Sequence, residues 1–368
     1  MRVAFDHQIF ALQRYGGISR YFFELASRLP AHGVSEVSVV APLHVNGYLA
    51  ADSAEAFTRG KYVSYPPALA GVVPAAVRLA DRLAAPLAWR GPNPDIVHET
   101  YFATKPVGRG RRRVVTVYDM HHELFPEELP DARRWSAAKR AAVDRADHII
   151  CISENTRRDL VRLFGVDPAR TSVVHLGYSM TADAGGAEPH DGAVRPSLLY
   201  VGNRLGYKNF SALLQAYGSS PVLREFELIA FGGHPVLPGE RKEIRRLGIT
   251  DRVRFESGSD RDLAARYQAA SAFVFPSKYE GFGLPPLEAM SHGCPVVCSN
   301  AGSIPEVVGD AGVYFDPNDA EELRAALERV ATSEELQADL RARGYARIDA
   351  FSWDRCAAAT AQIYREIT

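Results

Sequence analysis

Phe275-Pro276-Ser277-Lys278-Tyr279-Glu280-Gly281-Phe282-Gly283-Leu284-Pro285-Pro286-Leu287-Glu288-Ala289-Met290 is the stretch on which the reading of this chain turns. An apolar run ends at Pro276, and a loop with Gly281 and Gly283 follows. Pro286 suits the first turn of a helix, where a missing N–H costs nothing, and Gly293 stops that helix. The glycines let backbone N–H groups approach a ligand closely, and a helix N-terminus favours an anion. Glu280 stands before the loop and Glu288 is expected in the first turn after it. Such carboxylates suit the paired O–H donors of a sugar or a ribose. Taken singly, Glu288 also reads as a partner of the helix dipole and Glu280 as a surface charge. The whole string points to a ligand loop at the C-terminal end of a parallel strand, where open α/β sheets bind.

Outward from this loop, short apolar runs alternate with helical spacing. In the back half the strand candidates are 198–201, 227–231, 253–255, 272–275, 295–298 and 313–315. In the front half they are 2–6, 37–41, 95–98, 114–118 and 148–152. Helices are expected over 18–29, over 72–89 with breaks at Pro74 and Pro86, and over 135–146. A further helix is capped by Ser153 and ends near Gly165. Residues 46–66 read as polar and irregular. Short apolar strands, each followed by a helix, argue for an α/β protein with parallel sheets covered on both faces. The Gly-, Ala-, Pro- and Asp-rich stretch 181–196 reads as a linker. It separates a domain at 1–180 from one at 197–351, and a last helix occupies 352–368.

Composition sets wider bounds. The chain has 368 residues, 46% hydrophobic and 24% charged, ordinary for a globular enzyme, and its formal net charge of −1 gives no sign of nucleic-acid binding. Residues 1–176 carry +5 and the remainder −6. A basic front half can face a diphosphate lipid or a membrane surface, or the asymmetry is incidental. The four cysteines form no CxxC pair and read as reduced core thiols. No signal-peptide pattern and no apolar run long enough to span a bilayer is visible, so a cytoplasmic enzyme, peripheral at the inner face of the cell membrane, is the expectation.

The 275–290 segment resembles the E-x7-E signature of retaining glycosyltransferase family 4, a family of GT-B fold. So does its continuation through Gly293-Cys294-Pro295-Val296-Val297 and Ser303-Ile304-Pro305-Glu306. Tyr200-Val201-Gly202-Asn203-Arg204 with Lys208-Asn209, Asp6-His7-Gln8 through Tyr15-Gly16-Gly17-Ile18-Ser19-Arg20-Tyr21, and Phe351-Ser352-Trp353 are similar to the family as well. The resemblance is closest to mannosyl- and hexosyltransferases of bacterial surface polysaccharide assembly. It implies two Rossmann-like domains facing across a cleft, the final helix crossing back to the first. It implies that Arg204 and Lys208 hold the donor diphosphate, that Glu288 holds the ribose, and that Glu280 with the backbone of Gly281, Phe282, Gly283 and Leu284 serves the sugar. Gly17 is implied as the glycine that lets the front loop close on the substrates.

The polar cluster Thr116-Val117-Tyr118-Asp119-Met120-His121-His122-Glu123 departs from the family, many of whose members have His-Asp where this chain has Tyr118-Asp119. Asp119 and His122 are the candidates for touching sugar or acceptor. A turn or cap role is the alternative for each. Asp260-Arg261-Asp262 has the form of a metal-binding DxD but follows Ser259 like a helix N-terminus. Neither a metal nor a cofactor is expected. Gly232-Gly233 reads either as a close approach to the nucleotide or as a turn, and the Arg109–Arg113 run either as a lipid-phosphate contact or as a solvated turn. The resulting expectation is retaining transfer of a hexose to a hydroxyl of a glycan or polyprenyl-diphosphate-linked acceptor. The donor is a nucleoside diphosphate sugar, GDP-mannose first and UDP-hexose second. A nucleotide-sugar epimerase and a non-catalytic sugar-nucleotide binder are the rival readings.

Overall fold

A computed structural model describes residues 1–70, 72–89, 92–178, 195–204 and 206–368. The chain divides into two compact units, Met1–Gly177 with Ser352–Thr368, and Tyr178–Phe351. Of the linker expected over 181–196, all but residues 195 and 196 lie outside the described residues.

The first unit holds β1 (Arg2–Phe5), β2 (Glu36–His44), β3 (Thr58–Tyr62), β4 (Ile96–Glu99), β5 (Arg112–Val117), β6 (His148–Cys151) and β7 (Thr171–Val173). Its helices include α1 (Gln8–Leu12), α2 (Gly17–Arg28), α3 (Val73–Ala88), α4 (His121–Leu124), α5 (Ala132–Arg145) and α6 (Glu154–Phe164). All strand pairs are parallel, in the order β3-β2-β1-β4-β5-β6-β7. The inner strands β4 and β6 are buried at every residue, as a sheet covered on both faces requires.

The edge strands β3 and β7 escape sequence reading. β3 is Thr-Arg-Gly-Lys-Tyr, almost wholly exposed, with no apolar run to mark it. It pairs with β2 because Gly60 has no Cβ. A methyl there would lie 1.6 Å from the Ala41 carbonyl oxygen. α3 also departs from expectation, since it runs unbroken from Val73 to Ala88. Pro74 falls in its first turn, where no intrahelical bond is lost, and Pro86 in its last.

The second unit holds β8 (Ser197–Val201), β9 (Glu227–Phe231), β10 (Val253–Glu256), β11 (Ala270–Phe275), β12 (Val296–Ser299) and β13 (Gly312–Phe315). Among them run α7 (Phe210–Ser219), α8 (Pro238–Arg246), α9 (Asp260–Ala269), α10 (Leu284–Ser291) and α11 (Ile304–Val308), followed by α12 (Ala320–Thr332) and α13 (Glu334–Ile348). The sheet is again parallel, in the order β10-β9-β8-β11-β12-β13. Its core packs Leu198, Tyr200, Leu228, Ala272 and Val274 against Phe210, Tyr217, Leu323 and Leu327.

The last helix, α14 (Trp353–Ile367), belongs to the first unit. A buried polar chain docks it. The Tyr364 hydroxyl lies 2.6 Å from His98 Nδ1, His98 Nε2 lies 2.8 Å from Thr116 Oγ1, and Thr116 Oγ1 lies 3.2 Å from the Tyr21 hydroxyl. These four side chains come from α14, β4, β5 and α2, and all are buried.

Burial pushes the His98 imidazole down to about 3 from 6.5, so it is neutral in the folded protein. The unfolded chain takes up that proton as pH falls through 6.5. The stability tied to neutral His98 is therefore fully present above that value and is lost as pH falls toward 3. His98→Gln, which cannot titrate, is expected to flatten this slope, the difference reaching about 2 kcal/mol at pH 5. Denaturant unfolding of the two proteins from pH 8 to 4 measures it, and parallel pH profiles would refute the assignment.

Candidate active site

In the second unit, β8 leads to β9 on one side while β11 lies on the other, so the strand order reverses between β8 and β11. The loops leaving the C-terminal ends of those two strands part there, and a crevice is left for a ligand. Both carry the residues singled out from the sequence. The β8 loop turns through Gly206–Lys208 into α7, with Asn209 at the helix N-cap in the left-handed region, φ 59°. The β11 loop runs through Glu280 and Gly281 to Gly283, whose φ of 110° calls for glycine.

Two bonds join these loops. Lys278 N–H donates to the Tyr207 carbonyl at 2.7 Å, and Lys208 Nζ donates to Glu280 Oε1 at 2.7 Å. The two side chains retain 19% and 13% exposure, so the pair is half-sunk and still reachable from solvent. Lys208 Nζ also lies over the rings of Tyr207 and Phe275, 5.1 and 5.6 Å from their centroids.

A third loop, after β12, holds the glycine loop from beneath. Ser303 Oγ donates to the carbonyls of Glu280 and Phe282 at 2.9 and 2.7 Å, and Ser299 Oγ donates to that of Ser277 at 2.5 Å. Gly302 permits the approach, since a methyl there would lie 2.9 Å from Glu280 N. With these carbonyls tied down, the backbone of Gly281, Phe282, Gly283 and Leu284 is fixed in one course. Phe282 is itself buried, edge-on to Phe351 with the centroids 5.8 Å apart. The sequence gives Ser299 and Ser303 no role. The one hint is a short Gly-Ser segment directly after a strand.

One expectation is corrected. Glu288 is the fifth residue of α10, past its first turn, and so is not a partner of the helix N-terminus. Its Oε2 instead accepts from the Tyr267 hydroxyl at 3.2 Å, a buried phenol held well above its usual pKa chiefly by burial and by Glu288 itself. Pro285 and Pro286 carry no N–H, so this helix end offers fewer donors than an ordinary one.

Arg204, at the start of the β8 loop, is bonded within the unit. Its Nε donates to Glu240 at 2.8 Å, one terminal nitrogen to the Gly232 carbonyl at 2.8 Å, and the other to the His234 carbonyl. The guanidinium carbon lies 4.9 Å from the centroid of the Phe255 ring, and the side chain is 1% exposed. Each of its three nitrogens thus has a partner inside the protein, and Arg204 clamps the Gly232-Gly233 turn. That turn places both glycines near φ +80°, and a methyl on Gly233 would meet the Gly202 carbonyl at 2.7 Å. Asp262 is likewise engaged. It forms a capping box with Ser259 at the start of α9, as the sequence suggests.

In the first unit, Gly17 is the first residue of α2. It is exposed, and a Cβ there would meet nothing within 4 Å. Nothing within the unit demands glycine at this point. Asp119 follows β5, and its Oδ1 accepts from His121 N–H at 3.1 Å, the turn-forming alternative. Lys139, 1% exposed, donates to the Asp119 carbonyl at 2.9 Å and to Glu123 Oε2 at 2.7 Å. His122 is half-buried, its imidazole lowered first by burial and then by Lys139. It lines an open groove of about 540 Å³ with Glu123, Arg133, Arg140 and Phe164. Asp119 and His122 thus lie in one cluster.

The different settings of the two cations give a test. Arg204→Ala strands Glu240 and two carbonyls, and is expected to cost about 3–5 kcal/mol of stability. Lys208→Ala strands Glu280 alone, with no carbonyl left unpaired, and should cost less, about 1–2 kcal/mol. Denaturant midpoints distinguish them, and equal losses would refute the contrast.

Comparison with known proteins shows the family of the chain. The family described as glycosyl transferases group 1 matches residues 193–347, and glycosyltransferase family 4 matches residues 15–181. The O-antigen chain mannosyltransferase B of Escherichia coli is 35% identical across 70% of this chain and 71% of its own length. The MMP alpha-(1->4)-mannosyltransferase of Mycolicibacterium hassiacum is 33% identical across 77% and 74%. Among solved structures, sucrose-phosphate synthase from Thermosynechococcus elongatus superposes with a TM-score of 0.73 at 22% identity, covering 100% of this chain and 98% of that one. HepE of Anabaena, in complex with UDP and glucose, gives 0.69 at 18% identity with both chains fully covered. The chain therefore has the GT-B fold and belongs to the group 1 and family 4 glycosyltransferases.

Proposed function

We propose that this glycosyltransferase moves mannose from GDP-mannose to a hydroxyl of a glycan or polyprenyl-diphosphate-linked acceptor, with retention and without a metal. The observation that carries the reading is the Lys208–Glu280 pair at the strand-order reversal. An arriving diphosphate gives Lys208 a second anion, and Glu280 is released to accept hydroxyls of the sugar. Glu288, steadied by Tyr267, takes the ribose hydroxyls. Lys208 then stabilises charge on the departing diphosphate, the role a metal would otherwise fill.

The acceptor oxygen attacks the anomeric carbon on the face the diphosphate leaves. The carbon–oxygen bond to phosphate breaks, and the released phosphate oxygen takes the acceptor's proton. Asp119 and His122 serve the acceptor, and Gly17 leaves the entry to α2 uncrowded for substrate. Mannose is supported by the two mannosyltransferase relatives. UDP-hexose stands second because HepE holds UDP and glucose. The enzyme works as a peripheral protein at the inner face of the membrane, a reading supported by the +5 balance of its first 176 residues.

A thermal-shift panel of GDP-, UDP-, ADP- and dTDP-sugars should single out GDP-mannose. Lys208→Ala should lower kcat/KM by about 10²–10³-fold, and EDTA should leave the wild-type rate unchanged. Inversion at the anomeric carbon, read by NMR, or turnover of donor with no acceptor present, would overturn the mechanism.

The two carboxylates are separable by calorimetry with the free nucleoside diphosphate. Glu288→Ala should weaken that binding, whereas Glu280→Ala should spare it and reduce turnover. Equal losses of affinity would refute the division. Gly17→Ala should melt at the wild-type temperature and lose activity, and an active Gly17→Ala enzyme would remove Gly17 from the site.

A further inference from the structure

The described residues include ten large apolar side chains with high exposure, and five of them, Leu69, Val72, Leu79, Leu83 and Leu87, fall on or just before α3. Leu83 is 75% exposed and Val72 65%. At about 100° per residue, Val72, Leu79, Leu83 and Leu87 share an arc of about 80° along the whole helix. The inward side is accounted for separately. Val73 and Val77 pack with Ala11, Leu43 and Val45, and the buried Asp81 accepts the Leu43 N–H at 2.9 Å. The arc is therefore a second apolar stripe, left uncovered among the described residues, and the one acid of α3 points away from it.

A basic turn is held beside the end of this helix. Trp89 packs on Gly108, where a methyl would lie 2.5 Å from the indole ring. Lys105 and Arg109, in the same turn, are exposed and have no ion pair among the described residues. A second copy of the chain fits this face poorly. Sixteen residues of helix, about 24 Å by 10 Å, offer about 240 Å², against about 800 Å² per partner in a stable interface. The basic turns also bring no negative charge for a like surface to meet.

We infer that this arc is the face by which the chain lies on an anionic lipid bilayer. α3 lies in the interfacial plane with Leu79, Leu83 and Leu87 among the acyl chains, and Lys105 and Arg109 sit at the lipid phosphates. The inference rests on the peripheral-membrane reading above, and names the surface that performs it.

Flotation of the full chain with vesicles tests both separately. Vesicles of phosphatidylcholine alone are compared with vesicles also containing phosphatidylglycerol, at low and high salt. The wild type should float with the mixed vesicles and be released by salt. Leu79→Gln/Leu83→Gln should lower the partition coefficient by about tenfold or more at an unchanged melting temperature. Lys105→Glu/Arg109→Glu should abolish the preference for phosphatidylglycerol. If the wild type floats with neither vesicle, the membrane reading fails and the inference with it. If the leucine variant floats like the wild type, the membrane reading stands and the inference about α3 is overturned. It is also overturned if light scattering shows a wild-type dimer that the leucine variant lacks, with flotation unaffected, because the stripe is then a self-contact.

Discussion

The ion pair between Lys208 and Glu280 is the interaction around which the second unit is arranged. It exists because β8 and β11 are neighbours whose chains leave in opposite directions, which opens a crevice at their C-terminal ends. A cation there with no partner would be costly when half-buried, and so would a carboxylate. Paired, each satisfies the other while keeping some exposure to solvent. Ser299 and Ser303 hold the loop carbonyls, so the loop has little freedom to collapse into the crevice.

The different settings of Arg204 and Lys208 follow from their chemistry. A guanidinium has donors in a fixed fork and is always charged. Placed beside the Gly232-Gly233 turn, it meets two carbonyls and Glu240, and Phe255 covers its face. That environment rewards a planar, many-donor cation and would not suit a lysine. Lys208 is a point charge on a flexible stem, suited to exchanging one anion for another. The two basic residues of the β8 loop thus occupy different settings, one bonded to the turn and the other to Glu280.

Much of this was legible in the residues. The glycine loop, the paired carboxylates and the inner strands all announce themselves through local composition, because their physics is local: backbone freedom, helix starts and continuous apolar runs. Edge strand β3 was not legible, since a strand with two solvated faces carries no apolar signature. The fate of Arg204 was hidden because its partner Glu240 lies 36 residues further on. Glu288 falls just past the expected first turn because the helix opens two residues before Pro286. Leu284 opens α10, and the two prolines fill the next positions.

The first unit shows how a long-range contact leaves a trace only in hindsight. His98 is a lone histidine in an apolar strand, and from the sequence it carries no instruction. In the fold it joins Tyr364 of the last helix to Thr116 and Tyr21, so that a segment more than 200 residues away becomes part of this unit's core. A neutral imidazole can donate from one nitrogen and accept at the other, so it links two hydroxyl groups without any buried charge. An apolar residue of the same size would leave the Tyr364 hydroxyl buried without a partner, and a charged one would need a counter-ion the core does not supply. The position therefore selects for a side chain that is polar at both ends and uncharged, and burial keeps the imidazole in that state.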